Sequence, residues 1–98
     1  MDQVLLVRSA NKLEELLSRH SVADEEVKGL FDALSTLIAD ARAGKIFSPV
    51  EWGSVPGAYS FNEGGLRRYS DLETAYAEFK IEVTGGEGPL LRRLRSEY

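Results

Sequence analysis

The sequence predicts a mainly α, small single-domain helical bundle over residues 1–98. Three observations support this fold class. Apolar residues recur at helical spacing over long stretches, polar residues typical of helix starts precede several of these stretches, and glycines follow where the stretches end. A chain that is 43% hydrophobic and 29% charged has material for one modest core, so no second domain is expected.

The first two predicted helices form an antiparallel hairpin. Apolar periodicity places them at residues 2–19 and 22–43, and Gly44 follows the second as a typical helix-ending glycine. Ser21, with Asp24 three residues later, resembles a capping box and marks the second helix start. A connection of so few residues favours antiparallel packing. The apolar stripes consist of Leu6, Ala10, Leu13, Leu16 and Leu17, and of Val27, Leu30, Phe31, Leu34, Leu37, Ile38 and Ala41.

Two further helices are predicted in the last third of the chain. Ser70, with Glu73 three residues later, has the pattern of a capping box and predicts a helix over residues 71–83, which Gly85 and its neighbouring glycine close. Pro89 is suited to the first position of a short C-terminal helix over residues 89–97.

An irregular segment, residues 45–69, separates these two pairs of helices and holds five of the nine aromatic residues. Disordered segments are poor in aromatics, so we expect an ordered segment that either contacts a partner or wraps the core. Both alternatives are open from sequence alone. Its aromatic residues are Phe47, Trp52, Tyr59, Phe61 and Tyr69.

Local signals subdivide the aromatic segment. Ser48 before a proline, with Glu51 three residues later, predicts one helical turn that carries Trp52 and ends at Gly53. Turns are expected at 56–57 and 62–65. Between them, alternation over residues 58–61 predicts a short extended piece and would allow a small β-hairpin.

Charge and cysteine content exclude several functional classes. The chain carries a net charge of −4, which disfavours nucleic acid as the main ligand because phosphate neutralisation needs clustered Lys and Arg. The last ten residues are basic and the remainder is acidic, which suits either attraction to a basic partner or an ordinary solvated surface. Since the chain has no cysteine, it has no disulfide framework, thiolate metal site or cysteine nucleophile.

The N-terminal sequence has only a short apolar run, Val4 to Val7, with Asp2 before it and no Lys or Arg in front. This pattern is that of neither a signal peptide nor a membrane span, so we expect a cytoplasmic protein without membrane contact.

Catalytic or cofactor-binding residues are not expected. His20 is the only histidine and lies at a predicted helix end, without the spacing to a second ligand that metal sites use. The glycines between Thr84 and Pro89 resemble a phosphate-binding loop, but Glu87 would repel phosphate and the proline removes an amide donor. The carboxylates of the first two helices lie on polar faces. We therefore predict no enzyme activity, cofactor or metal.

Trp52 is the aromatic residue whose role matters most, because a lone tryptophan can fill a core or anchor an interface. Both roles are open. Arg67 and Arg68 could hold an anionic ligand or an acidic partner, or be solvated. The predicted partner-binding residues are Glu51, Trp52, Tyr59, Phe61, Glu63, Arg67 and Arg68.

Residues 37–88 resemble the small helical immunity proteins that bacteria pair with type VI secretion toxins, particularly toxins acting on nicotinamide dinucleotides or related nucleotides. The matching pieces are the long second helix, Glu51-Trp52-Gly53-Ser54-Val55, Phe61-Asn62-Glu63, Leu66, the helix face of Leu72, Ala75 and Tyr76, and Gly85-Gly86. The resemblance implies an inhibitor that binds its cognate toxin domain and blocks its active site.

The sequence leaves two other functions open. A homodimeric helical adaptor or regulator would bury surplus apolar surface of the first two helices against a second copy. A small enzyme or nucleotide-binding domain would need a ligand in the loop between Thr84 and Pro89.

Overall fold

A computed structural model describes residues 2–85 of the chain and confirms the small helical bundle. The described residues form four α helices and two short 3-10 turns. In chain order these are α1 (Gln3–Ser21), α2 (Glu25–Arg42), the 3-10 turn Trp52–Ser54, α3 (Ala58–Asn62), the 3-10 turn Gly65–Arg68 and α4 (Ser70–Val83). The predicted C-terminal helix 89–97 and most of the glycine-rich loop lie outside the described residues.

Helix α1 packs against both α2 and α4, and it runs antiparallel to each. At one end of the bundle, His20 of α1 contacts Asp71 at the start of α4. At the other end, Gln3 donates a 3.0 Å hydrogen bond to the carbonyl of Ile46, just beyond α2. The apolar stripes predicted for α1 and α2 form most of the core. Its buried members from these helices are Leu6, Ala10, Leu13, Leu16, Leu17, Val27, Leu30, Leu34, Ile38 and Ala41.

Aspartates cap the first two helices. Asp2 and Asp24 have extended backbones, and the Oδ1 of each accepts hydrogen bonds from two amides in the first turn of its helix. The predicted capping box at Ser21 is therefore wrong, because Ser21 is the last residue of α1. Gly44 has a φ of +71° and ends α2 as predicted.

The start of α4 also differs from its prediction. Ser70 is the first helical residue rather than the cap, and the side chain of the cap residue, Tyr69, accepts no hydrogen bond from the helix. The hydroxyl of Tyr69 donates to Asp24, the cap residue of α2, a long-range contact that a local capping pattern does not reveal.

The aromatic segment 45–69 covers the space between α2 and α4. Gly57 lies between these helices, since a Cβ added to it would meet Leu30 of α2 at 2.5 Å and Tyr76 of α4 at 3.1 Å. The amide of Val50 donates to the carbonyl of Val83, which fixes the start of the segment to the end of α4. The segment also contributes buried side chains to the core: Ile46, Val55, Phe61 and Leu66. It therefore wraps the core, one of the two roles expected for it.

The regular elements of the segment are all short helical pieces, and residues 45–69 contain no strand and no β-hairpin. The first turn begins at Trp52 rather than Ser48, so Gly53 lies inside it. The piece predicted as extended, residues 58–61, is helix α3. Gly57, with a φ of +109°, turns the chain into α3. Because these residues form a helix, the small β-hairpin that the sequence allowed is absent from the segment. Phe61 of α3 packs on Tyr76 of α4.

None of the helices in the described part of the chain is both long and apolar enough to cross a membrane.

Candidate functional site

A groove of about 520 Å³ lies between the aromatic segment and α4. Trp52 forms one wall, and the exposed edge of α4 forms the other. Most of its lining residues are apolar or aromatic, and one amide and three charged side chains also line it. The lining residues are Trp52, Ala58, Phe61, Asn62, Arg67, Glu73, Tyr76, Ala77, Lys80 and Ile81.

Lys80 is the most unusual residue of the groove, because a lysine is rarely buried without an ion pair. Only 6% of its surface is exposed. Its Nζ lies 4.3 Å from the ring centre of Trp52 and 5.8 Å from that of Tyr76, within reach of cation–π attraction. Desolvation by burial lowers the pKa of Lys80 from its usual 10.5.

Tyr76 forms the floor of the groove beside Lys80. Its hydroxyl donates a 2.8 Å hydrogen bond to the carbonyl of Pro56, and its ring stacks on Phe61 with centroids 4.6 Å apart. Burial raises the pKa of Tyr76 to about 12. The residue therefore stays neutral at physiological pH and holds the turn before α3 against α4.

A second group of polar residues joins α1, α2 and α4 at one end of the bundle. Asp24 lies at its centre, with a side chain only 7% exposed. The Tyr69 hydroxyl donates to Asp24 Oδ2 at 2.8 Å, and the Arg68 guanidinium forms an ion pair with the same oxygen. The hydrogen bond from Tyr69 is the largest cause that lowers the pKa of Asp24, and the capping amides and Arg68 add to it.

His20 extends this polar cluster to the start of α4. Its Nε2 lies 3.2 Å from both carboxylate oxygens of Asp71, and its ring lies 4.4 Å from that of Tyr69. The hydrogen bond with His20 is the main cause that lowers the pKa of Asp71. His20 thus has a defined structural partner, in addition to its predicted place at a helix end.

The structure brings three of the seven predicted partner-binding residues together in the groove, namely Trp52, Phe61 and Arg67. Trp52 is half-buried, so its ring both packs on Lys80 and lines an open surface. Phe61 is buried with 6% exposure, so it supports the surface from below.

The other four predicted residues lie outside the groove. Arg68 belongs to the polar cluster. Glu51 and Glu63 are exposed at the two ends of the 51–63 stretch. Tyr59 lies on α3, and 71% of its surface is exposed to solvent.

Lys80 and Tyr76 were not predicted as site residues. One signal in the sequence could have found Lys80, since it lies four residues after Tyr76 and three before Val83, in line with the apolar face of α4. The pairing of His20 with Asp71 joins residues 51 apart and has no local signal.

Among residues 2–85, no three His, Asp or Glu side chains are grouped as metal ligands would be. Comparison with known proteins adds no assignment: the chain matches no protein-family model, no curated protein and no solved structure.

Proposed function

We propose that this protein is a non-enzymatic inhibitor that binds a bacterial toxin domain and covers its active site, as an immunity protein of a type VI secretion pair does. The observation that carries this proposal is the exposure of Tyr59 on a fixed support. Its side chain is 71% exposed, while Phe61 of the same short helix is buried against Tyr76.

An aromatic side chain held this way is suited to anchoring a protein interface. Tyr, Trp and Arg dominate the binding energy of interfaces, and a support ordered before binding reduces the entropy lost on association. Trp52 and Arg67 line the groove next to α3, so residues of all three types lie on this part of the aromatic segment. Phe47, which is 86% exposed, adds a further aromatic nearer the start of the segment.

The exposed carboxylates of the aromatic segment favour a basic partner. Glu51 and Glu63 are exposed, and neither forms an ion pair within residues 2–85. A toxin that acts on an anionic nucleotide carries basic groups in its active site. Carboxylates at these positions would meet those groups, speed association and oppose the entry of substrate.

The homodimeric alternative has less support. It needs an uncovered apolar stripe, whereas the stripes of α1 and α2 are covered by each other, by α4 and by the aromatic segment. Val4 and Leu5 remain exposed at the start of α1. Two side chains make a small patch beside the roughly 800 Å² that each partner contributes to a standard interface.

Co-expression with the product of the adjacent gene tests the proposal. A toxin-like neighbour is expected to co-purify with this protein, and cells expressing the toxin are expected to grow only when this protein is present. A toxin-like neighbour that neither binds it nor is neutralised by it would remove the proposal.

A further inference from the structure

Within residues 2–85, the groove beside α4 holds a buried lysine that has no counter-ion. Lys80 forms no ion pair within residues 2–85, and its Nζ lies 4.3 Å from the ring centre of Trp52 and 5.8 Å from that of Tyr76. A buried charge is costly unless it is paired. Ring faces compensate part of this cost. Desolvation by burial lowers the pKa of Lys80.

The charges of the groove are distributed along its length. Glu73 precedes Lys80 by seven residues on α4, which places it about 10 Å away along the helix axis. No ion pair joins the side chains of Glu73 and Lys80. Arg67, the second cation of the lining, comes from the 3-10 turn just before α4. The Lys80 end thus offers an unneutralised positive charge next to apolar walls.

We propose that this groove is a binding site for a small organic carboxylate with an apolar body. The carboxylate would lie on the Lys80 ammonium, and the body would lie against the ring of Trp52 and the side chain of Ile81. The volume of about 520 Å³ is within the range of small-molecule sites, roughly 300 to 1,000 Å³. The proposal goes beyond the toxin-binding function and does not depend on it.

Trp52 is the only tryptophan of the chain, so its fluorescence reports on this groove alone. The probe is phenylacetate, and its neutral analogue phenylacetamide has nearly the same shape without the charge. Titration of the full chain with phenylacetate is expected to change the Trp52 emission in a saturable way, and phenylacetamide is expected to bind about tenfold more weakly or worse. This comparison needs no variant.

Three variants assign the effect to Lys80. Lys80→Met keeps the apolar stem and removes the charge, so it is expected to weaken phenylacetate binding about tenfold and leave phenylacetamide unchanged. Lys80→Arg is expected to retain much of the binding. Lys28→Met, at an exposed position of α2, is the matched control and is expected to bind as the unaltered chain does.

The absence of a saturable response to phenylacetate would overturn the proposal. Equal affinities for the carboxylate and the amide, or phenylacetate binding that survives Lys80→Met unchanged, would do the same. Each of these readouts is independent of whether a toxin binds.

Discussion

The Tyr69 hydroxyl donates a 2.8 Å hydrogen bond to Oδ2 of Asp24, the residue whose Oδ1 caps α2. This contact joins the last residue of the aromatic segment to the start of α2. Arg68 forms an ion pair with the same carboxylate oxygen, and the ring of His20 packs on Tyr69. The segment is therefore fastened at the same point where α1 turns into α2.

Tyr69→Phe is expected to destabilise the protein, because it removes the hydrogen bond to a mostly buried carboxylate and keeps the ring. Tyr59→Phe is the matched control, since that ring is exposed and its hydroxyl has no partner in the described residues. The free energy of unfolding, measured with urea, is expected to fall for Tyr69→Phe only. Equal values for the two variants would contradict the role given to Tyr69.

Acid is expected to weaken the contacts that Asp24 makes with Tyr69 and Arg68. The pKa of Asp24 is lowered below its ordinary 3.8, so its contribution to stability is complete above that pH and is lost as the pH falls through the lower folded value. Asp24→Asn keeps a good helix cap and removes the titration. The stability difference between the unaltered chain and this variant is expected to shrink as the pH falls below 3.8. A difference that does not change with pH would refute this assignment.

Gly57→Ala is expected to disrupt the packing of the segment between α2 and α4. The left-handed φ of +109° alone costs a non-glycine residue about 1–2 kcal/mol, and the new Cβ would meet Leu30 at 2.5 Å. Gly53→Ala has no heavy atom within 4 Å of its new Cβ and no positive φ, so a change below about 0.5 kcal/mol is expected. Thermal and urea unfolding of both variants measure the contrast. A Gly57→Ala variant as stable as Gly53→Ala would show that the segment does not pack as described.

Alkaline titration tests the burial of Tyr76. Its pKa is raised from 10.0 to about 12, so the stability that this group contributes is complete below pH 10 and is lost as the pH rises through 12. The loss corresponds to about 2–3 kcal/mol. Tyr76→Phe cannot ionise, so the stability difference between the two proteins is expected to change by this amount over that range. A constant difference would mean that the hydroxyl is solvated.

The helices could be predicted from the sequence because their apolar stripes are long. The stripes of α1 and α2 continue over several turns, so periodicity identifies both helices and most of their core residues. Helix starts were harder to predict. Ser21 and Asp24 both suit a cap, and only the folded backbone shows which of them has the extended conformation that capping requires.

The aromatic segment could be predicted only in part. Four alternating residues, 58–61, are too few to distinguish a strand from one helical turn. What decides the conformation is the packing of Phe61 on Tyr76 and the turn at Gly57, both of which depend on α4. The groove could not be predicted for the same reason. It depends on the packing of Trp52 on Lys80, two residues that are far apart in the sequence.

Calorimetric titration of Tyr59→Ala with the toxin-like product of the adjacent gene, beside the unaltered chain, tests whether Tyr59 anchors the proposed interface. We expect affinity at least about tenfold weaker, with a free energy of unfolding unchanged within about 0.5 kcal/mol, because the side chain is exposed. Val22→Ala, 89% exposed between α1 and α2, is the control and is expected to bind normally. Full affinity of Tyr59→Ala for that partner would rule out Tyr59 as an anchor of the interface.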